Sequence, residues 1–432
     1  MLIEFKVANF RSIREMQTLS LVAANTDKEL PENLIDTALP GLSGMKFLKG
    51  AALYGANASG KSNVLEALYF IANFITTSAT TLEPGAQTGT QPFKLDGNSS
   101  ERPSEFELTF VVDGVRYVYS VSLTKKRIVE EYLDAYPKGS PQHWFRRWYN
   151  QEIGAYDWEK PSTYFKNGTD LREKTRENSL YLSVGAQFNH PQLTTVYAWF
   201  KKGLRFLSLD GEADVDPIAT LQLSRIPAHG QKIATLLHEA DTGIVRFHFN
   251  PREIQINPDE AKKLVSAHFP DDTFNADAPI SLKSIEIEFG HLSDQNEIVP
   301  LDYFSEESAG TRRFFSLAGP WIDILENGYT VFIDEIDTSL HPLLVKQLLR
   351  LVFSKGTNSR GAQIVFTTHN PIFLDTSLLR RDQIWFTEKS ADGVTHLYPL
   401  TDFKPRKDEA IAKGYLAGRY GGVPFIPEGL KL

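Results

Sequence analysis

Residues Gly55-Ala56-Asn57-Ala58-Ser59-Gly60-Lys61-Ser62 fit the spacing G-x-x-x-x-G-K-[ST], and few short patterns restrict a fold more tightly. The pattern needs a strand feeding a glycine loop that turns into a helix. Only there do backbone N–H groups curl around an anion at a helix N-terminus. Both flanks are present. The apolar run "FLKGAALYG" leads in, and from Ser62 to Ile75 apolar residues recur at helical spacing: Val64, Leu65, Leu68, Ile71, Ala72 and Ile75. Lys61 is then placed to reach β and γ phosphates and the Ser62 hydroxyl to ligate Mg²⁺. Gly55 to Ser62, with Asn63, make up the expected cradle for ATP. A glycine turn before an ordinary helix is the competing reading, and the matching flanks weigh against it.

A phosphate loop needs acids to hold the metal and activate water. "TVFIDEID" supplies them: Thr330 to Ile333 read as a buried strand, with Asp334-Glu335 at its carboxyl end, where α/β sheets place ligands. Asp334 is expected to hold Mg²⁺ through water, and Glu335 to take a proton from the attacking water. Alone, an apolar run ending in two acids is as readily a strand with a solvated cap. "FTTH" ends another apolar strand, Ile364 to Phe366, which puts His369 at the same sheet edge, on the γ-phosphate side. Lone histidines after strands are more often structural, but the position of His369 repeats that of Asp334.

The stretch "FSEESAGTRRFFSLAG" opens an amphipathic helix at Ser308-Ala309-Gly310-Thr311, offering hydroxyls, backbone N–H groups and a positive dipole end to an anion. An ordinary serine-capped helix is the plainer reading.

The remaining chain reads as alternating strands and helices, so the expected class is α/β with a mostly parallel sheet. "LIEFKVANF" alternates as a half-buried strand. Thr76 to Ser100 is rich in Thr, Gly, Ser and Pro and reads as a connection. "FELTFVVDGVRYVYSVSL" forms a hairpin around Asp113-Gly114, and further strand-like pieces run to about Trp158. The expected division is an N-terminal core part over residues 1–75, an antiparallel β lobe over 76–188, a helical insertion over 189–280, and the C-terminal core part over 281–432. Prolines, glycines and hairpins in the middle, without sustained heptads, rule against a long coiled-coil arm.

Composition narrows the partners. The formal charge of −8 over 432 residues is not that of a general nucleic-acid binder, although a local basic groove stays open. "HWFRRWYN", His143 to Asn150, is the one basic-aromatic cluster, and a strand with a charged outer face explains it more simply. There is no cysteine, hence no thiolate nucleophile or cysteine zinc site. The N-terminus lacks a signal-peptide core and no apolar run approaches bilayer length, so a cytoplasmic protein without membrane attachment is expected.

Taken together, the motifs resemble those of ATP-binding-cassette ATPases of the branch that includes SMC, Rad50 and RecF proteins. "DEIDTSLH" resembles the Walker B and D-loop of SMC heads, although His341 stands where that pattern has aspartate. "SAGT" stands where the family carries its signature, shortened to Ser-x-Gly. The start "MLIEFKVANFRSI", "SAGTRR" and the tail "KGYLAGRYGGVPFI" resemble the AAA15-type, RloA-like ATPases of bacterial anti-phage systems, with the middle recognisable in outline only. The resemblance implies that Arg11 lies near the nucleotide and that Gln187, in "LYLSVGAQF" at an apolar strand end, is the Q-loop residue touching nucleotide and Mg²⁺. It also implies that Ser308 and Gly310 of one copy face the phosphate loop of another across shared ATP, giving a nucleotide-dependent homodimer, with higher oligomers open. On this analogy the cycle regulates a separate effector, a nuclease or toxin, in phage defence. The alternative is a DNA-acting repair or recombination ATPase of the RecF or Rad50 kind. A nuclease within the same chain is disfavoured, because only 63 residues follow His369.

Overall fold

A computed structural model of the chain describes residues 1–207, 216–256, 280–407 and 409–424. Strands β1 (Leu2–Ala8) and β2 (Gln17–Ser20) come first. The short pair β3 (Leu34–Ile35) and β4 (Phe47–Leu48) precedes β5 (Gly50–Gly55) and helix α1 (Lys61–Thr77). Five strands follow: β6 (Ser104–Val112), β7 (Val115–Leu123), β8 (Ile128–Tyr136), β9 (Gln142–Asn150) and β10 (Ala155–Trp158). Helices α2 (Tyr181–Gln187) and α3 (Pro191–Ala198) lead to β11 (Leu204–Leu207). Next come α4 (Ile218–Ser224), α5 (Pro227–Glu239), β12 (Ile244–Ile256), β13 (Ile280–Leu292) and β14 (Ile298–Asp302). Helix α6 (Ala309–Asn327) precedes β15 (Thr330–Ile333), α7 (Pro342–Phe353) and β16 (Gln363–Thr367). The chain closes with β17 (Ile384–Lys389), β18 (Thr395–Pro399) and α8 (Ile411–Leu416).

Two compact units result, one built from residues 1–213 and 323–432, the other from 214–322. The first contains two large sheets. Its six-stranded sheet runs β11-β15-β16-β5-β17-β18, parallel except for the antiparallel edge strand β18. Strands buried on both faces read as continuous apolar runs, and "TVFI" and "IVF" do so. Its seven-stranded antiparallel sheet runs β10-β9-β8-β7-β6-β1-β2. The expected hairpin at Asp113-Gly114 is there, with both residues at positive φ. Strands β1 and β2 therefore belong to the antiparallel lobe, although they lie within the segment expected to build only the nucleotide core. Pairing of β1 with β6 spans about a hundred residues, which a local pattern cannot announce.

Helix α1 packs into one apolar cluster that takes Leu53 and Val365 from the parallel sheet and Phe5, Phe106 and Phe110 from the lobe. Its residues Val64, Leu65, Leu68, Ile71 and Ile75 are buried, at spacings that put them on the packed face. Each such side chain contributes roughly 1.5–3 kcal/mol of burial. The phosphate loop thus emerges from a helix gripped on both sides.

The second unit differs from the expected helical insertion. It carries α4 and α5 but also the antiparallel sheet β12-β13-β14, while residues 257–279 of the expected segment lie outside the described residues. Phe247 and Phe289 of that sheet pack edge-on against Phe315 of α6. Proline at position 320 removes the N–H that would bond the Ser316 carbonyl, and the Thr220 hydroxyl donates to that carbonyl at 3.0 Å instead. No described helix is long and apolar enough to cross a membrane.

Candidate functional site

The carboxyl ends of β15, β16, β5 and β17 lie side by side, and the chemistry-bearing residues follow directly from that order. Beyond β5 the loop passes through Ala58 at φ 62° and Gly60 at φ 106° before α1 begins at Lys61. A side chain at Gly60 would collide with Thr395, its Cβ only 2.1 Å from Oγ1, and one at Gly55 would meet Thr387 at 2.3 Å. Both glycines are therefore required by close approach of strands β17 and β18. Gly60 also caps α1 without a side chain, which leaves the first-turn N–H groups to a ligand.

The loop is braced from outside. Ser59 and Thr387 hydroxyls lie 2.6 Å apart, and the Thr395 hydroxyl donates to the Ser59 carbonyl at 2.9 Å. Ser12 contacts the Thr395 hydroxyl at 2.8 Å and accepts from the Asn63 amide at 2.5 Å. Arg11 pairs with Glu66 of α1, and its Nη1 donates to Asn63 Oδ1 at 3.5 Å. So the early "NFRSI" segment reaches the edge of the loop through Asn63.

Lys61 Nζ donates to the Gly55 and Ala56 carbonyls at 2.9 and 3.2 Å and lies 3.4 Å from His369 Nδ1. Burial lowers its ammonium to about 8, against the pull of Asp334, Glu335 and Asp337. His369 Nε2 lies 3.6 Å from Glu335 Oε1. The side chains of Glu335 and His369 remain partly open to solvent, and Glu335 sits at φ 48°, a left-handed conformation unusual for a side chain of this size. Thr367 aims the acids. Its hydroxyl donates to Asp334 Oδ1 at 2.5 Å and accepts the Glu335 N–H at 2.7 Å. The Thr368 hydroxyl likewise donates to Asp337 Oδ1 at 2.7 Å.

A pocket of about 430 Å³ opens here, lined by residues 57–63 with Glu335, His369 and Lys389. Its donors suit a nucleotide polyphosphate with Mg²⁺. Mg²⁺ takes only one or two protein carboxylates or hydroxyls, the remainder coming from phosphate and water. Among the described residues no group of three or more His, Asp or Glu is placed to hold a metal by itself. Ser62 and Asp334 are the residues that would hold the ion, which would neutralise phosphate charge when bound. Lys61 and the α1 N-terminus line the pocket where phosphates would sit, and Glu335 faces the same space.

Gln187 is a correction. Its segment is helix α2, not a strand end, and Gln187 itself is exposed. Ser183 in that helix donates to the Ile75 carbonyl at 2.5 Å and accepts from Ser78 at 3.0 Å, both at the far end of α1. A helix of 17 residues separates that end from the phosphate loop by about 25 Å. The residue cannot reach a metal held by Ser62. The strand beside Asp334 is β11, where the Leu207 carbonyl accepts the Asp334 N–H at 3.4 Å.

Ser308 and Gly310 stand at the start of α6 in the second unit. The Ser308 hydroxyl accepts the Thr311 N–H at 3.0 Å, an N-cap, and the preceding Glu307 pairs with His291 of β13 at 2.6 Å. His341 also caps locally, its Nδ1 accepting the Leu343 N–H at 3.3 Å ahead of α7.

Thr367, Thr387, Thr395 and Lys389 escaped the sequence reading, since their roles depend on neighbouring strands: Thr367 meets Asp334 33 positions away, and Thr387 and Thr395 meet Ser59 across 328 and 336. The tail motif "GRYGG" also finds its place. Gly422, at φ 67°, lies against Gly55, a Cβ there coming within 3.6 Å of the Gly55 Cα. Tyr415 and Tyr420 stack on Phe386 of β17, so the tail backs the base of the phosphate loop. Phe425 and Ile426 of that motif lie outside the described residues.

These features define a P-loop nucleotide site of the ATPase type. Residues 51–375 match the family described as "AAA domain, putative AbiEii toxin, Type IV TA system", and the chain belongs to that family. It is also similar to the SMC head domain from Thermotoga maritima, at 12% identity over 92% of this chain and 98% of that one, with a TM-score of 0.37. No curated protein matches.

Proposed function

We propose that the chain is an ABC-type, AAA15 and RloA-like ATPase whose cycle controls a separate effector, a nuclease or toxin, in anti-phage defence. The observation that carries the ATPase part is the convergence of Lys61, His369 and Glu335 at one pocket, with Asp334 aimed by Thr367. Water attacks the γ-phosphate with Glu335 as base, while Lys61, His369 and the loop N–H groups hold the transferred group. Two copies close around ATP, each presenting Ser308 and Gly310 to the other's phosphate loop. This part rests on the resemblance of "SAGT" to the family signature and not on the α6 N-terminus itself, where the Ser308 hydroxyl already takes the Thr311 N–H. The compartment is the cytoplasm. The effector part rests on the family, whose description names a toxin system.

The DNA-repair alternative gains nothing from the basic-aromatic strand. Arg146 pairs with Glu130 and Arg147 with Glu131, so both arginines are already matched, and His143 Nδ1 lies 2.8 Å from Asp134. The test is capture of partners by tagged Glu335→Gln, expressed in the native host, nuclease-treated, with Mg-ATP. The variant should bind ATP, persist as a dimer and bring down one stoichiometric protein of nuclease or toxin type. Recovery of DNA in untreated samples without a protein partner would move the assignment to the repair class.

A further inference from the structure

The nucleotide pocket has two flanks, and the residues assigned so far crowd one of them. Beside β5 on one side stands β16 with His369, then β15 with Asp334 and Glu335. On the other side stands β17, whose last residue, Lys389, lines the same pocket. Its side chain is exposed, and its ammonium makes no ion pair or hydrogen bond with any described residue.

The backbone that carries Lys389 is tied to the phosphate loop. Two residues earlier, Thr387 contacts Ser59 at 2.6 Å and donates to the Tyr54 carbonyl at 3.3 Å. Across the hairpin Lys389 pairs with Thr395, the residue whose hydroxyl holds the Ser59 carbonyl.

The position along the phosphates follows from the opposite flank. Glu335 and His369 mark where water attacks, so the γ-phosphate lies on the β16 side. A polyphosphate crossing the loop then brings its α end toward β17. Mg²⁺ and Lys61 leave a bound ATP still anionic, with Asp334 and Glu335 adding negative charge nearby. A second cation on the far flank completes the compensation. We propose that Lys389 is a nucleotide-binding residue that clamps the α–β phosphate end of nucleoside di- and triphosphates from the β17 flank. This rests on the nucleotide-site reading above. Such a contact exists with ATP and with ADP, and so strengthens binding of both rather than favouring the transition state.

The experiment is calorimetric titration of Mg-ADP and of a non-hydrolysable Mg-ATP analogue into the full chain, its Lys389→Ala and Lys389→Arg variants, and Lys61→Ala. Lys389→Ala should weaken both nucleotides by about three- to tenfold, with their affinity ratio unchanged. Arginine should restore most of the loss, and the deficit should shrink as salt rises. In steady state KM should rise by more than kcat falls. Equal affinity of wild type and Lys389→Ala for both nucleotides overturns the proposal while leaving the site standing. A loss confined to the ATP analogue also overturns it, since Lys389 would then face the γ end. Absence of nucleotide binding by the wild type would overturn the site and this inference together. Unfolding midpoints without nucleotide check that each variant is folded.

Discussion

Strand β9 of the lobe and the ends of β15 and β16 both carry clustered charge, yet they handle it in opposite ways. In the lobe each charge has its own partner. Arg147 and Glu131 are fully buried at 2.7 Å, and Glu131 also accepts the Tyr119 hydroxyl and the Tyr181 and Leu182 N–H groups. Arg147 additionally donates to the Ser179 carbonyl. At the phosphate loop, Lys61 leans on backbone carbonyls and a histidine, while Glu335 and His369 stay partly exposed toward one pocket. A network whose charges are paired with one another, Arg147 Nη1 alone lacking a hydrogen-bond partner, is a device for holding α2 against the lobe. Charges that converge without neutralising one another form a device for receiving something charged.

The sharpest break of that contrast is Lys61→Ala, which should abolish measurable ATP binding, a loss of at least a hundredfold by calorimetry, with little change in folding. Arg147→Met should do the reverse. Leaving Glu131 buried without its partner should cost about 3–5 kcal/mol in denaturant unfolding. The folded fraction should bind ATP with wild-type affinity. Equal effects of the two changes on binding would remove the distinction.

A gentler probe is pH. Burial holds the Lys61 ammonium down at about 8 rather than the usual value above 10. Phosphate binding needs the protonated form, so ATP affinity should be flat below pH 7.5 and fall as pH rises through 8, approaching about tenfold per pH unit at the steepest. A lysine of ordinary pKa would give no slope there. Smallest of all is Arg146→Ala. Its pair with Glu130 is half exposed, and removal should change stability by at most about 1 kcal/mol, read from the unfolding midpoint.

Much of this site could be read from letters because its pieces are locally coded. The strand before the loop, the 3.6-residue period of α1 and the apolar runs ending in Asp334-Glu335 and His369 each carry their signal within about twenty residues. Gln187 failed for a physical reason. "YLSVGAQ" is a short apolar run, and such runs look alike whether buried as strand or as helix. The lobe's use of β1 and β2, the sheet in the second unit, and the threonines that brace loop and acids depend on pairings far apart in sequence. Thr395 meets Ser59 across 336 positions. The tail glycines Gly421 and Gly422 stood out as letters, but only the fold shows that they back the base of the phosphate loop.

The most direct test of the central claim is single-turnover ATP hydrolysis by wild type and Glu335→Gln, with ATP affinity measured on the same preparations. Affinities within about threefold, with hydrolysis slowed at least a hundredfold in the variant, are expected if Glu335 activates water at this pocket. Equal hydrolysis by both proteins would contradict the assignment of Glu335, and failure of the wild type to bind ATP would contradict the site itself.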